Sequence, residues 1–109
     1  KPGTYEQLEQ RSVALSEGVG NAARKAGVPL TQTRVSSMMC AFFTQGPVTD
    51  WASAKKADTK AYAKFFHQML DAGIYLAPSQ FEAAFMSVAH TPKDIDRTIS
   101  AAQAAFKNL

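Results

Sequence analysis

TRVSSMMCAFFT, residues 33–44, is the stretch on which the fold turns. Val35, Phe42 and Phe43 are strand formers, and small residues stand between the large ones. Pro29 breaks the chain before the stretch, and the turn signal TQGP (44–47) closes it. It reads as one buried strand over 33–44, and the elements on either side of it set the architecture.

On the N-terminal side, Thr4 followed by Gln7 has the form of a capping box. Tyr5, Leu8, Leu15, Val19, Ala22 and Ala26 recur at helical spacing up to Gly27, a C-terminal stop. This predicts an amphipathic helix whose middle is weakened by Gly18 and Gly20. On the C-terminal side, residues 48–73 hold two helix starts, one at Thr49 or Asp50 and a second near Asp58. From the second, Tyr62, Phe65, Phe66, Met69 and Leu70 form a stripe that stops at Gly73. A short strand IYL (74–76) follows, Pro78 punctuates it, and QFEAAFMSVA (80–89) reads as another strand. Thr91 then caps a last helix with Pro92 in its first position and Asp94 completing the cap, and Ile95, Ile99, Ala102 and Phe106 face one way. The order helix, strand, helix, two strands, helix predicts an α+β domain, a small sheet covered by helices, over residues 1–109.

Composition excludes several classes of function. With 46% hydrophobic and 19% charged residues, the chain has the balance of a folded domain, and 109 residues suffice for one modest core. No apolar run approaches the roughly 18 residues that span a bilayer. The net charge of +3 is scattered over all segments with no basic stripe among aromatics, which argues against nucleic-acid binding. Cys40 is the single cysteine, which suits a reducing compartment, and with His67 and His90 far apart no metal site is expected. The opening KPGTYEQLEQ has no initiator Met and is already organised sequence, as if cut from something longer.

Motifs for chemistry are sparse. There is no G-x-S-x-G elbow, no G-x-G-x-x-G and no P-loop. Lys25, Lys55, Lys56, Lys60 and Lys64 fall on solvated helix faces and not in a desolvated cradle. Trp51, Phe42 and Phe43 read as core or interface material, and Cys40 as a small buried hydrophobe.

Glu82 stands apart as the one carboxylate in the apolar and small-residue run YLAPSQFEAAFMSVA (75–89). If residues 80–88 alternate as a strand, Glu82 shares a face with Ala84, Met86 and Val88. An unpaired buried charge costs several kcal/mol, so Glu82 would be protonated, paired with a cation, or turned into a polar cavity. The plain alternative is a strand-edge glutamate facing water.

GIYLAPSQFEAAF (73–85), with KKADTKAYAKFFHQMLDAG (55–73) before it and AHTPKDIDRTISAA (89–102) after it, resembles the C-terminal end of the glutamate-1-semialdehyde aminomutases. These are pyridoxal-phosphate enzymes of the class III aminotransferase group. The resemblance covers essentially the whole chain, and APSQFEA (77–83) is its specific part. Two departures are visible: this chain has Ala84 and Ser36 where the family commonly has glycine.

The resemblance implies a small C-terminal domain of a fold-type I enzyme, with a three-stranded antiparallel sheet and helices. It implies that Glu82 lines the substrate side of the active site, with Ser79 and Gln80 as supporting backbone and weaker claims to contact. Pyridoxal phosphate, the catalytic lysine and the phosphate-holding groups would belong to a large domain of the same polypeptide. This segment would then bind no cofactor and be inactive alone. A homodimer, a cytoplasmic or plastid location, and no nucleic-acid, membrane or metal partner complete what the resemblance implies. The competing reading is a free-standing α+β interaction or regulatory module without catalysis.

Overall fold

The stretch 33–44 folds as a hairpin and not as one strand. In the computed structural model, which describes residues 2–109 and not Lys1, β1 (Thr31–Val35) and β2 (Met38–Phe42) pair antiparallel from Thr31↔Phe42 to Val35↔Met38. Ser36 and Ser37 make the turn between them, and Ser36 takes φ +54°. A two-residue turn with a left-handed first position usually advertises itself by glycine there. Serine hid it. A third short strand, β3 (Ala84–Phe85), pairs antiparallel with β2 through Met38↔Phe85 and Met39↔Ala84, giving the sheet order β1-β2-β3. The expected three-stranded antiparallel sheet is present, built from different residues than the pattern suggested. Residues 74–76 form no strand, and 80–89 contribute only the two residues of β3.

The helices follow their punctuation more closely. α1 (Thr4–Ala26) ends at Gly27, whose φ of +72° lets its N–H fold back to the helix carbonyls. At its start Gly3, not Thr4, is the capping residue, and no side chain caps the helix. Both starts in 48–73 are used. Asp50 and Ser53 form a capping box for the single turn α2 (Trp51–Ala54), and Asp58 accepts the Lys60 and Ala61 N–H groups to begin α3 (Thr59–Asp71). α4 (Pro92–Lys107) opens with the Thr91–Asp94 capping box and Pro92 in its first turn, as the sequence predicts.

α1 and α4 lie side by side and run in the same direction. Near its start α1 sends the Arg11 guanidinium to the Val88 and His90 carbonyls at 3.0 Å each; midway Gly18 meets Ile99; at its end Ala22 and Ala23 join Ala102, Ala105 and Phe106. Small residues on α1 permit this close approach. Gly18 and Gly20, which looked like weak points, are contact points: Gly20 is where Gln32 of β1 comes down to bond the Ser16 carbonyl at 3.0 Å.

Phe43, Phe65, Met69 and Phe106 complete the main core, with Phe65 and Phe106 stacked at 4.8 Å. A smaller cluster joins Phe42 to Ala54 and Ala57, so α2 covers one end of the outer sheet face. The stripes expected on α3 and α4 are buried at Phe65, Met69, Ile95, Ala102 and Phe106, while Leu70 of α3, and Tyr5 of the α1 stripe, are exposed. No helix is long and apolar enough to cross a membrane among the described residues.

Candidate functional site

After Gly73, at φ +88°, the chain leaves α3 and crosses from Ile74 to Ala83 without regular structure. Specific hydrogen bonds hold this strap. The Ile74 N–H donates to the Met69 carbonyl at 2.8 Å, and the Tyr62 hydroxyl donates to the Ala77 carbonyl. Ser79 closes a tight turn on itself: its Oγ accepts the Phe81 N–H at 3.1 Å and its carbonyl accepts the Glu82 N–H at 3.2 Å. The Gln80 Oε1 accepts the Phe43 N–H at 3.1 Å, tying the turn to the residue that follows β2. Pro78 and this turn explain why a sequence rich in strand formers stays out of the sheet.

Glu82 therefore does not alternate with Ala84, Met86 and Val88 on a strand face. It sits on the turn, its side chain exposed, at the wall of a cavity of about 130 Å³ beneath the strap. Val19, Leu30, Phe65 and Met69 supply the apolar floor, and Cys40, Tyr62 and Gln80 stand near the carboxylate's side. Of the readings open at sequence level, the exposed side chain matches the plain alternative, a glutamate facing water, placed on a turn and not on a strand edge. Among the described residues Glu82 has no ion-pair partner; the ion pair present joins Arg34 and Glu9 at 2.6 Å. Glu82 does act on Tyr62: burial first, and the nearby Glu82 charge second, hold the Tyr62 hydroxyl above its usual pKa.

Ser79, Gln80 and Glu82 are thus brought together in one turn, Ser79 as its closing residue and Gln80 as its anchor. Sequence reasoning missed Tyr62, which lines this cavity and a second one of about 300 Å³ on the other side of the strap. Its hydrogen bond to Ala77 has no local sequence signature. Cys40, expected as buried, is half-exposed and directs its thiol toward the Glu82 carbonyl at 3.9 Å.

On the sheet face away from α1, Val35, Met38 and Phe85 lie in one row across the three strands, because Val35 pairs with Met38 and Met38 with Phe85. Phe85 is 69% and Val35 70% exposed, so this row is an uncovered apolar face. Trp51, also exposed, meets Phe81 edge-on at 5.2 Å and extends the apolar surface toward the strap.

A pyridoxal phosphate site requires cations or clustered N–H groups for the phosphate and a lysine amine for the aldehyde. The walls of the 130 Å³ cavity carry no lysine, arginine or histidine, and Lys25, Lys55, Lys56, Lys60 and Lys64 are all exposed on helices or their ends. The walls of this cavity do not fit the cofactor. The described residues also bring together no group of three histidine, cysteine or carboxylate side chains that could hold a metal ion.

No family model matches the chain. Curated relatives do. The glutamate-1-semialdehyde 2,1-aminomutase of Citrifermentans bemidjiense is 53% identical over 109 residues, all of this chain and 26% of that protein. The enzyme of the same name from Geotalea daltonii is 53% identical over 107 residues, 25% of its length. The chain spans about a quarter of the length of the curated relatives it matches, the C-terminal quarter. Among solved structures, a β-phenylalanine aminotransferase from Variovorax paradoxus superposes with a TM-score of 0.79 at 28% identity, covering 90% of this chain and 22% of that one. A glutamate-1-semialdehyde aminomutase from Pseudomonas aeruginosa, in complex with PMP, reaches a TM-score of 0.85 over the whole chain and 24% of its own, at 17% identity, a likeness of fold.

Proposed function

This chain is homologous over its whole length to the C-terminal quarter of glutamate-1-semialdehyde 2,1-aminomutases, and from that premise we propose that it is the small C-terminal domain of such an enzyme. In this reading it closes one side of an active site whose cofactor, pyridoxal phosphate, is held by a large domain of the same polypeptide. The complete enzyme moves an amino group between neighbouring carbons of glutamate-1-semialdehyde, giving 5-aminolevulinate for tetrapyrrole synthesis, as a homodimer in the cytoplasm. The observation that carries the proposal is the 53% identity along all 109 residues.

The site geometry supports a division of labour within the segment. The row Val35, Met38 and Phe85 offers an apolar face to the large domain, and covering each side chain contributes on the order of 1–2 kcal/mol. The strap beside it presents Glu82. A carboxylate without a cation of its own, at the edge of a face awaiting a neighbour, is suited to hold a cationic side chain of the facing wall or the amine of the substrate. Held there, it favours one orientation of the substrate over its reverse. Because the lining residues do not fit the cofactor, the chemistry of amino transfer is left to the large domain.

The test is Glu82→Gln in the complete enzyme. Turnover should fall by about tenfold or more with the fold unchanged, as for a lost charge-assisted contact in the transition state. An unaltered rate removes Glu82 from the active site. Separately, the 109-residue chain mixed with pyridoxal phosphate and desalted should retain no cofactor absorbance; a stoichiometric band that survives would return cofactor binding to this segment.

A further inference from the structure

Gln80 is only 3% exposed, and the two ends of its amide are treated differently. Oε1 accepts the Phe43 N–H at 3.1 Å, whereas Nε2 is buried with no hydrogen-bond partner. A buried unpaired amide nitrogen is costly, so an apolar side chain of equal length would pack there more cheaply unless the oxygen is needed. What the oxygen does is specific. Phe43 lies one residue past the end of β2, where its N–H has no strand to pair with, and Gln80 supplies the acceptor across 37 residues of sequence.

The rest of the turn follows from this anchor. With Gln80 fixed to the sheet, the two bonds that Ser79 accepts, from the Phe81 and Glu82 N–H groups, leave the backbone from 79 to 82 little freedom. The Cys40 thiol, on β2 as well, reaches the Glu82 carbonyl. Glu82 is exposed and has no side-chain partner of its own among the described residues, so its place at the cavity mouth is set by its backbone.

We propose that Gln80 is a positioning residue: its amide oxygen, bonded to the Phe43 N–H, locks the Ser79–Glu82 turn to the end of β2 and thereby aims the Glu82 carboxylate. It acts through Glu82 and touches no reacting atom. The proposal rests on the reading of Glu82 given above.

A double-mutant cycle in the complete enzyme separates the two ideas. Gln80→Met removes the acceptor at constant length, and its kcat should fall about tenfold with KM within about twofold and the melting transition still cooperative. In the Glu82→Gln background the same substitution should change kcat by less than about twofold, since there is no carboxylate left to aim. If Gln80→Met does not yield folded enzyme, Gln80→Asn, one methylene too short to reach, takes its place in the cycle with the same expectations. Equal losses in both backgrounds would overturn the proposal and leave the role of Glu82 standing. An unchanged kcat for Gln80→Met overturns it as well. If Glu82→Gln alone leaves turnover unchanged, the reading of Glu82 fails first and this one falls with it.

Discussion

Gly18 of α1 lies directly against Ile99 of α4: a Cβ on Gly18 would stand 2.3 Å from the Ile99 Cδ1 and 2.7 Å from its Cγ1. Both distances are far inside contact range, so the isoleucine side chain would have to leave its place. Gly18→Ala raises the helix propensity of α1 by up to about 1 kcal/mol, but overpacking costs about 1–3 kcal/mol. The overlap decides the sign, and the variant is expected to be less stable by about 1 kcal/mol. Ile99→Ala costs stability of its own, but it opens the space, so Gly18→Ala should cost much less in that background, which thermal unfolding of the four members of the cycle would show. Additive effects would mean that the two helices do not meet here.

Ser36 holds φ +54° at the tip of the hairpin, a conformation that costs an L-residue roughly 1–2 kcal/mol and glycine almost nothing. Glycine brings its own entropic cost of about 0.5–1 kcal/mol. The difference favours Ser36→Gly by about 0.5–1 kcal/mol, to be read as a raised melting temperature. The resemblance drawn from the sequence pointed to glycine at this position before the turn was known. A lowered melting temperature would show that the serine is not strained.

The Tyr62 hydroxyl holds the strap through the Ala77 carbonyl, and burial with the Glu82 charge behind it keeps the phenol protonated above its usual range. Removing the hydroxyl in Tyr62→Phe leaves that carbonyl without its donor and should cost about 1 kcal/mol at neutral pH. The raised pKa means the folded state retains its proton longer than the unfolded chain does. The hydroxyl's contribution is therefore complete below about pH 10 and lost as the pH rises through the folded value. The parent should lose stability above about pH 10 more steeply than Tyr62→Phe, and parallel alkaline profiles would refute the assignment.

What the sequence revealed and what it concealed divide by range. Asp58, Gly27, Gly73 and the Thr91–Pro92 pair mark helix ends by local chemistry, within one turn of the residue concerned, and each marks a true boundary. The hairpin was hidden because its turn is Ser-Ser with no glycine, so β1 and β2 merged into one apparent strand. Residues 74–83 have strand composition, but Pro78, the Ser79 turn and two long-range bonds, to Tyr62 and to Phe43, hold them as a strap. Those bonds join residues 15 and 37 apart, beyond any local pattern. Glu82 was conspicuous as a lone charge, yet the alternation that placed it on a strand face was wrong because there is no strand at 82.

The start of α4 makes a prediction at acid pH. The Asp94 carboxylate accepts the Thr91 N–H at 2.8 Å, and Thr91 Oγ1 accepts the Asp94 N–H at 3.2 Å. The Thr91 backbone bond, then its side chain, with smaller help from His90 and Arg97, holds the Asp94 carboxyl below its usual pKa. A depressed carboxylate stabilises the fold in full above its unfolded value, near pH 4, and that contribution disappears as the pH falls through the folded value. Asp94→Asn keeps an oxygen for the Thr91 N–H but loses the charge that strengthens the bond and favours the helix N-terminus. It should melt below the parent at pH 7 and converge with it as the pH is lowered from about 4 to about 2. Asp50, held down in the same way by the Ser53 N–H, titrates in the same window, so Asp94→Asn keeps part of the parent's acid sensitivity and Asp50→Asn/Asp94→Asn should keep less. A constant gap between Asp94→Asn and the parent over this range would mean that the cap works through shape alone, without its charge.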